Sequence, residues 1–337
     1  LSRICTGFVM AGGFMVIESW LNEKATNENR GTVFGLYMMV TYASIMAGQM
    51  AVAAFDVSQS SLFMVSAILF CCSVIPTAIS TAVTPRPLQE VSLDLRGLFA
   101  NSPVSFMACL LIGVANGAWG TLGPVYGARI GISTAEIALM MSLVVIAGAA
   151  MQMPAGRLSD KTDRRFILAG AGFLAALIGV AIFFVQARSG DVVIGLSACY
   201  GAMAYILYSL AVAHANDHAD SSSFVRISGG LLLLYGFGTM IGPLLGSFLM
   251  ARLRPEALFL ATALPHFLLG CYTMIRVSQR AAVAPENKEA FNALPAERAV
   301  TPQAGLLDPR GPDDPEPSPP ENGALNVENE RELVSSS

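Results

Sequence analysis

The sequence predicts an all-α integral membrane protein, and three observations carry that prediction. Its 337 residues are 54% hydrophobic and only 13% charged, with a mean hydropathy of +0.57. The apolar residues come in runs of about 20, the length of helix that crosses a bilayer core of roughly 30 Å. A dense charged island, Gly156-Arg157-Leu158-Ser159-Asp160-Lys161-Thr162-Asp163-Arg164-Arg165, interrupts two of these runs. Charge at mid-bilayer costs about 2.5–3.5 kcal/mol per residue on insertion scales, so the island is expected as a tight loop at a membrane face. A transmembrane β-barrel would show alternating segments of about ten residues, and these runs do not alternate.

Nine spanning helices are expected in order: 3–21, 33–55, 61–83, 102–126, 134–154, 166–187, 192–213, 227–250 and 256–276. The loops between them are short, as suits antiparallel neighbours; the longest are 22–32, 84–101 and 214–226. Lys and Arg fall unequally on the two sides. One set of loops holds Lys24, Arg30, Arg86, Arg96, Arg157, Lys161, Arg164, Arg165 and Arg226, with Arg276 and Arg280 past the last helix; the other holds Arg129, Arg188, Arg252 and Arg254. The richer set reads as cytoplasmic by the positive-inside bias. This expectation places the C-terminus in the cytoplasm of a multi-pass protein of the cell (inner) membrane. It leaves residue 1 outside, which, with no Met start, reads as an odd number of helices missing from the front. The six cysteines (Cys5, Cys71, Cys72, Cys109, Cys199, Cys271) form no CxxC pair and read as small buried apolar residues without a disulfide or metal framework.

Composition changes from Ser278 onward. Pro285, Pro295, Pro302, Pro309, Pro312, Pro315, Pro317, Pro319 and Pro320 stand among acids and few large apolar residues. Such a segment buries too little surface to offset its ordering entropy, so residues 278–337 are expected to be a disordered, solvating, acidic tail. The alternative is a polyproline-type ligand at Pro315-Glu316-Pro317-Ser318-Pro319-Pro320.

Transporter folds are often built from repeated helix groups. An ungapped offset of 194 superposes Gly7 on Gly201, Asn22 on Asn216, Gly35 on Gly229 and Gly48 on Gly242. It also aligns the first run with the seventh and the second with the eighth, which suggests two six-helix halves. Residues 1–83 would then be the last three helices of the first half, 84–101 the cytoplasmic connection, and 102–277 the second half.

The island Gly156-Arg157-Leu158-Ser159-Asp160-Lys161-x-x-Arg164-Arg165 resembles the G-x-L-[ST]-D-[RK]-x-G-R-[RK] loop of the major facilitator superfamily. The resemblance implies a major facilitator fold with nine of twelve helices present, helices 4–12, and the island between helices 8 and 9. Asp163 stands where the pattern prefers Gly, which puts the usual turn in question. By physical reasoning, Gly156 lets neighbouring backbone approach, while Asp160 caps the next helix or pairs with arginines across the loop. Gly156, Asp160, Lys161, Arg164 and Arg165 are thus expected to form a conformational latch; a bare positive-inside stop signal is the alternative.

Gly238-x-x-x-Gly242-Pro243-x-x-Gly246 resembles a motif of antiporter-type facilitators, and reads equally as small-residue helix packing around a proline bend. Arg3-Ile4-Cys5-Thr6-Gly7 is similar to an R-x-x-x-G element of proton-coupled efflux members, with snorkelling of Arg3 to the interface as the alternative. Glu18-Ser19-Trp20-Leu21-Asn22 with Asn27-x-x-Arg30-Gly31 resembles the YcaD-like branch of the superfamily. Glu18 is the acid inside the first run, where burial raises a carboxyl's pKa toward proton exchange; an ion pair with Arg30 or a basic loop residue is the competing reading.

Runs 61–83 and 166–187 are almost wholly apolar and read as lipid-facing. Polar groups gather instead in the first, fourth and seventh runs: Arg3 and Glu18, Asn116 and Trp119, and Tyr200, Tyr205 and Tyr208. The resemblance makes these helices 4, 7 and 10, which line the family's central cavity. Residues three apart share a helix face, so Asn116/Trp119 and Tyr205/Tyr208 are expected to line a half-apolar, half-wet solute path. His214-x-Asn216-Asp217-His218-x-Asp220 offers two histidines on one face but no third or fourth ligand, so it reads as a solvated loop and no metal is expected.

HExxH, GxSxG and Walker-type GxxxxGK[ST] signatures are absent from the sequence. An enzyme, a cofactor and a nucleic-acid partner are therefore not expected. The expectation is a monomeric secondary transporter whose partners are the bilayer, a small organic solute and protons, working as a proton-coupled efflux protein. Uptake by symport or facilitation of a sugar, amino acid or other metabolite is the sister reading. A transporter-like receptor or scaffold acting through its tail is the reading from another class.

Overall fold

The computed structural model of the chain describes residues 2–24, 30–55, 59–79, 94–219, 224–281, 283, 288 and 291. Among these the chain is helical throughout: α1 (Ser2–Lys24), α2 (Arg30–Ala54), α3 (Ser61–Ile79), α4 (Leu95–Asn101), α5 (Pro103–Ile130), α6 (Thr134–Lys161), α7 (Arg164–Val185), α8 (Gly190–Ala204), α9 (Leu207–Asn216), α10 (Phe224–Arg252) and α11 (Ala257–Val277).

Among the described residues, seven stretches are long and apolar enough to cross a membrane: Gly35–Ala54, Pro103–Ile130, Thr134–Lys161, Arg164–Val185, Gly190–Asn216, Ile227–Arg252 and Ala257–Val277. Two shorter apolar stretches, Cys5–Glu18 and Ser61–Pro76, stand at the first and third expected spans. The arrangement is compatible with nine spans.

Local chemistry explains the helix ends. Ser102 caps α5, accepting from the Ser105 N–H, with Pro103 following where its missing N–H costs nothing. Gly131, at φ +87°, closes α5 in the left-handed region that glycine enters freely. Ser133 and Glu136 then open α6 with a reciprocal capping box.

Four sequence expectations change here. The charged island is mostly helix: α6 runs through Lys161, α7 starts at Arg164, and only Thr162 and Asp163 intervene. Asp163, the departure from the family pattern, caps α7 by accepting from the Arg165 N–H at 3.0 Å, so the break needs no glycine. The span 192–213 is divided at Tyr205 and Ile206, where φ/ψ of −82°/−10° and −81°/−19° depart from ideal helix. The expected connection 84–101 contains α4, capped by Asp94; residues 84–93 lie outside the described residues.

The cysteines also differ from expectation. Cys109 is buried, but Cys5, Cys71, Cys72 and Cys199 are exposed and Cys271 is half-buried; all six thiols are free. The four exposed ones sit on outward faces of apolar helices, where a small soft side chain suits hydrocarbon as well as core.

The closest packing joins α5 to α10, α7 to α11, and α6 to α8. Lipid tails are as apolar as side chains, so such helices associate through tight van der Waals contact, and small residues permit it. A Cβ at Gly117 of α5 would lie 2.5 Å from Thr239 Cα of α10. One at Gly238 would lie 2.7 Å from the Val114 nitrogen, and one at Gly242 2.6 Å from the Ala118 nitrogen. Gly246 meets the Leu122 side chain, where a Cβ would stand 2.7 Å from Cδ1. Pro243 lies within α10. Gly172 and Gly179 place α7 against the carbonyls of His266 and Phe259 on α11. One face of α7 is thus buried, while the other carries exposed Phe166, Leu174, Leu177 and Phe184. On α3, Phe63, Leu69 and Phe70 are exposed, a surface suited to hydrocarbon.

Candidate functional site

The end of α6, the start of α7 and the end of α9 converge on one guanidinium. Arg164 donates through Nε to Asp217 at 2.7 Å, through Nη2 to Asp160 at 3.1 Å and through Nη1 to the Ser159 hydroxyl at 3.0 Å. The Arg164 and Asp217 side chains are 1% and 2% exposed, whereas Asp160 is 39% exposed. The Arg164–Asp217 pair is therefore shielded from water, while the Asp160 arm is partly screened.

Arg165 forms a second layer. It pairs with Asp163 at 2.7 Å and donates to the carbonyls of Arg280 at 2.8 Å and Arg276 at 3.4 Å. Burial alone would push the Asp163 carboxyl up. Hydrogen bonds from the Arg165 side chain and backbone, with the Arg165 charge, outweigh it and hold the carboxyl below its ordinary value. Lys161 is exposed. Gly156 is buried not by neighbouring backbone but by the Phe291 ring, whose Cγ would stand 2.7 Å from a Cβ there.

The histidine stretch is not the expected solvated loop. His214 lies in α9 and is buried, and Asp217 supplies the third side of the Arg164 cluster. His214 and His218 stack edge to face at 4.7 Å, and His218 Nδ1 meets the His214 carbonyl at 2.9 Å. Burial pushes the His218 imidazole below its usual value, and its contact with the His214 carbonyl opposes this. Both rings line a small cavity with Asp163, Arg164, Arg165, Asp217 and Lys288. Asp220 lies outside the described residues.

The opposite end of the bundle holds a charge cluster that the sequence did not announce. Glu256, fully buried, pairs with Arg188, and Arg254 approaches it at 3.8 Å. Arg254 also lies over the Phe183 ring at 3.8 Å and donates to the Phe183 carbonyl at 2.5 Å, a cation–π contact that holds the guanidinium in place.

The aromatic and amide residues expected along a solute path are all buried, in two groups. Trp119 and Tyr200 lie 5.8 Å apart, each against Phe259 of α11 at 5.4 and 5.7 Å, and Tyr200 also faces His266 at 5.8 Å. Asn116 donates to the Tyr235 hydroxyl at 3.3 Å, and Tyr235 meets Tyr208 at 5.0 Å. Tyr205, at the α8–α9 break, lies against Gly148 of α6. Phe259 and Tyr235 went unnoticed in the sequence because each is an ordinary residue in an apolar run, whereas His266, an ionisable group inside a span, could have been singled out.

Glu18 is buried and accepts a hydrogen bond from the Tyr37 hydroxyl of α2. The side chains of Arg3 and Arg30 lie outside the described residues. A chain of hydrogen bonds connects α2 to the later helices: Gln152 of α6 donates to Tyr42 at 2.9 Å and accepts from Ser209 of α9 at 3.2 Å. An amide inside an apolar run is costly unless partnered, and that rule could have singled out Gln152.

The sequence matches the profile of the Major Facilitator Superfamily over residues 1–231 and 104–310. It is 27% identical over 268 residues to the MFS-type transporter YcaD of Shigella flexneri serotype 5b (strain 8401) and of Escherichia coli (strain K12 / DH10B). Each alignment covers 79% of this chain and 69% of the relative. No solved structure matches it.

Proposed function

The chain belongs to the major facilitator superfamily, a family of non-enzymatic transporters that move small solutes across membranes, and from that premise we propose a specific mode of action. The protein is a secondary transporter that exports a small organic solute in exchange for protons, by alternating access between two helix halves. The observation that carries this reading is Arg164, buried and shared between Asp160 and Asp217. A guanidinium held by carboxylates on separate helix ends is a latch: closed, it ties α6, α7 and α9 together, and opening it releases all three. Gly156, Lys161 and Arg165 complete the latch at the basic face, and the Lys/Arg bias supports reading that face as cytoplasmic.

Asn116, Trp119, Tyr200, Tyr205 and Tyr208, with Arg3, are the candidate solute contacts. Aromatic rings with polar tips bind a partly apolar solute and give it orientation. Glu18, buried against Tyr37, is the candidate proton carrier, because a membrane-embedded carboxyl is costly when charged. Gly238, Gly242, Pro243 and Gly246 serve as the packing seam on which α10 moves against α5. The protein acts as a monomer.

Purified full-length protein reconstituted in vesicles, with a pH-sensitive dye inside, tests this against a panel of small organic solutes. Export coupling predicts solute-dependent proton movement opposite to the solute. Proton and solute moving together would replace it with symport, and solute movement without protons with facilitation.

A further inference from the structure

Three features of the segment after α11 meet the end of α6. Lys288 donates through Nζ to the carbonyls of Ser159, at 3.4 Å, and of Thr162. The last carbonyls of a helix have no partner within it and carry the negative end of its dipole, so an ammonium is suited to that position. The Phe291 N–H donates to Asp160 at 3.2 Å, onto the carboxyl oxygen that also receives Arg164. The Phe291 ring lies over Gly156, in space that a Cβ would occupy, and against the buried core around α5, α9 and α10. Nearer α11, Arg280 donates to the Asn101 carbonyl at 2.8 Å while its own carbonyl accepts from Arg165. The start of the tail, expected to be disordered, is thus held at the basic face among the described residues. Ala281, Val283 and Lys288 wall the cavity beside Arg164 and Arg165.

We propose that Lys288 and Phe291 are an intramolecular docking motif, with the end of α6 as its receptor, and that these two residues, once docked, hold the Arg164 cluster closed as a strap. A cation on the helix-end carbonyls, a ring on a glycine and an N–H on a carboxylate form a three-point site of matched chemistry. Asp160 moving off Arg164 with the end of α6 would also give up the Phe291 N–H, so the docked residues oppose opening of the cluster on that side. The docking stands on these contacts alone; control of opening rests on the latch reading given above.

Hydrogen exchange read by mass spectrometry on the purified full chain tests both parts. F291A should raise exchange in peptides covering 155–163 about tenfold, the scale set by losing a partly buried aromatic contact. G156A should have the same effect by filling the ring's seat, and F291A/G156A should add nothing further. A synthetic peptide covering residues 284–294, added in excess to F291A, should restore protection. Unchanged exchange at 155–163 in F291A, additive effects in the double variant, or failure of the peptide would overturn the docking. Exchange at 213–219, which carries Asp217, should rise with it. If only 155–163 responds, the strap docks but does not hold the latch, and that part is overturned. None of these outcomes depends on transport, so unchanged transport in a latch variant would count against the function and not against the strap.

Discussion

Replacing Arg164 with alanine is the perturbation whose size follows most directly from the structure. The variant removes Nε from Asp217, Nη2 from Asp160 and Nη1 from Ser159. Asp160 is 39% exposed and recovers much of its loss by hydration, so its share is that of a surface pair, about 0.5 kcal/mol. Asp217 is only 2% exposed. It keeps its charge and loses the guanidinium that balanced it, and breaking a buried pair in this way costs about 3–5 kcal/mol. Thermal unfolding of the full chain in detergent should show the midpoint of R164A lowered by roughly 10 °C. D217A should cost less, because Arg164 keeps Asp160 and Ser159. R164A/D217A should be more stable than the sum of the singles by about 2 kcal/mol, since the double variant removes the carboxylate together with the guanidinium that balances it. A midpoint for R164A within a degree of wild type, or strictly additive singles, would refute the assignment of this pair as buried and coupled.

Three further outcomes are expected. Gly242→Leu should destabilise by about 1–3 kcal/mol through overpacking of α10 on α5, whereas Gly236→Ala, which has no atom within 4 Å of its Cβ position, should be neutral or mildly stabilising; the same unfolding assay separates them. Asp163 is held below its ordinary value, against burial, by Arg165, so the stability it contributes is present above its unfolded pKa and lost as pH falls through its lower folded one. The midpoint gap between wild type and D163N should therefore be full at pH 7 and close as the pH falls below about 4. Gln152→Leu removes the bonds to Tyr42 and Ser209, each with a net worth of about 1 kcal/mol, and combining it with Y42F should cost less than the sum of the two, because both delete one contact between α2 and α6.

The sequence disclosed what is written in local periodicity and hid what depends on contacts distant along the chain. The apolar runs gave the spans because bilayer thickness sets one length scale. The spacing of Gly156, Asp160, Arg164 and Arg165 marked the basic cluster because that pattern is local. Asp217 was not legible as the partner of Arg164, since 53 residues separate them and only the fold of α9 against α7 joins them. The same applies to Phe291 over Gly156, where the Gly suggested a close approach but not by what. Arg188 read as a loop charge, and Glu256 stood unremarked at the start of the last expected span; the burial that joins them has no local signature. The break at Tyr205 was hidden because it uses neither Pro nor Gly; it shows only as a turn where Tyr205 meets Gly148. Asp163 was misjudged for a physical reason: an acid caps a helix start as well as a glycine turns the chain.

The most direct measurement of the account is transport by Asp160→Asn in reconstituted vesicles, using the solute that moves with wild type. Asparagine keeps the shape and one acceptor oxygen but removes the charge that holds Arg164 from the α6 side. With insertion and unfolding midpoint close to wild type, D160N should move that solute at least about tenfold more slowly, the effect of about 1.4 kcal/mol on the conformational step. Transport at the wild-type rate would show that the cluster only anchors charge at the membrane face, and would contradict its role as the latch.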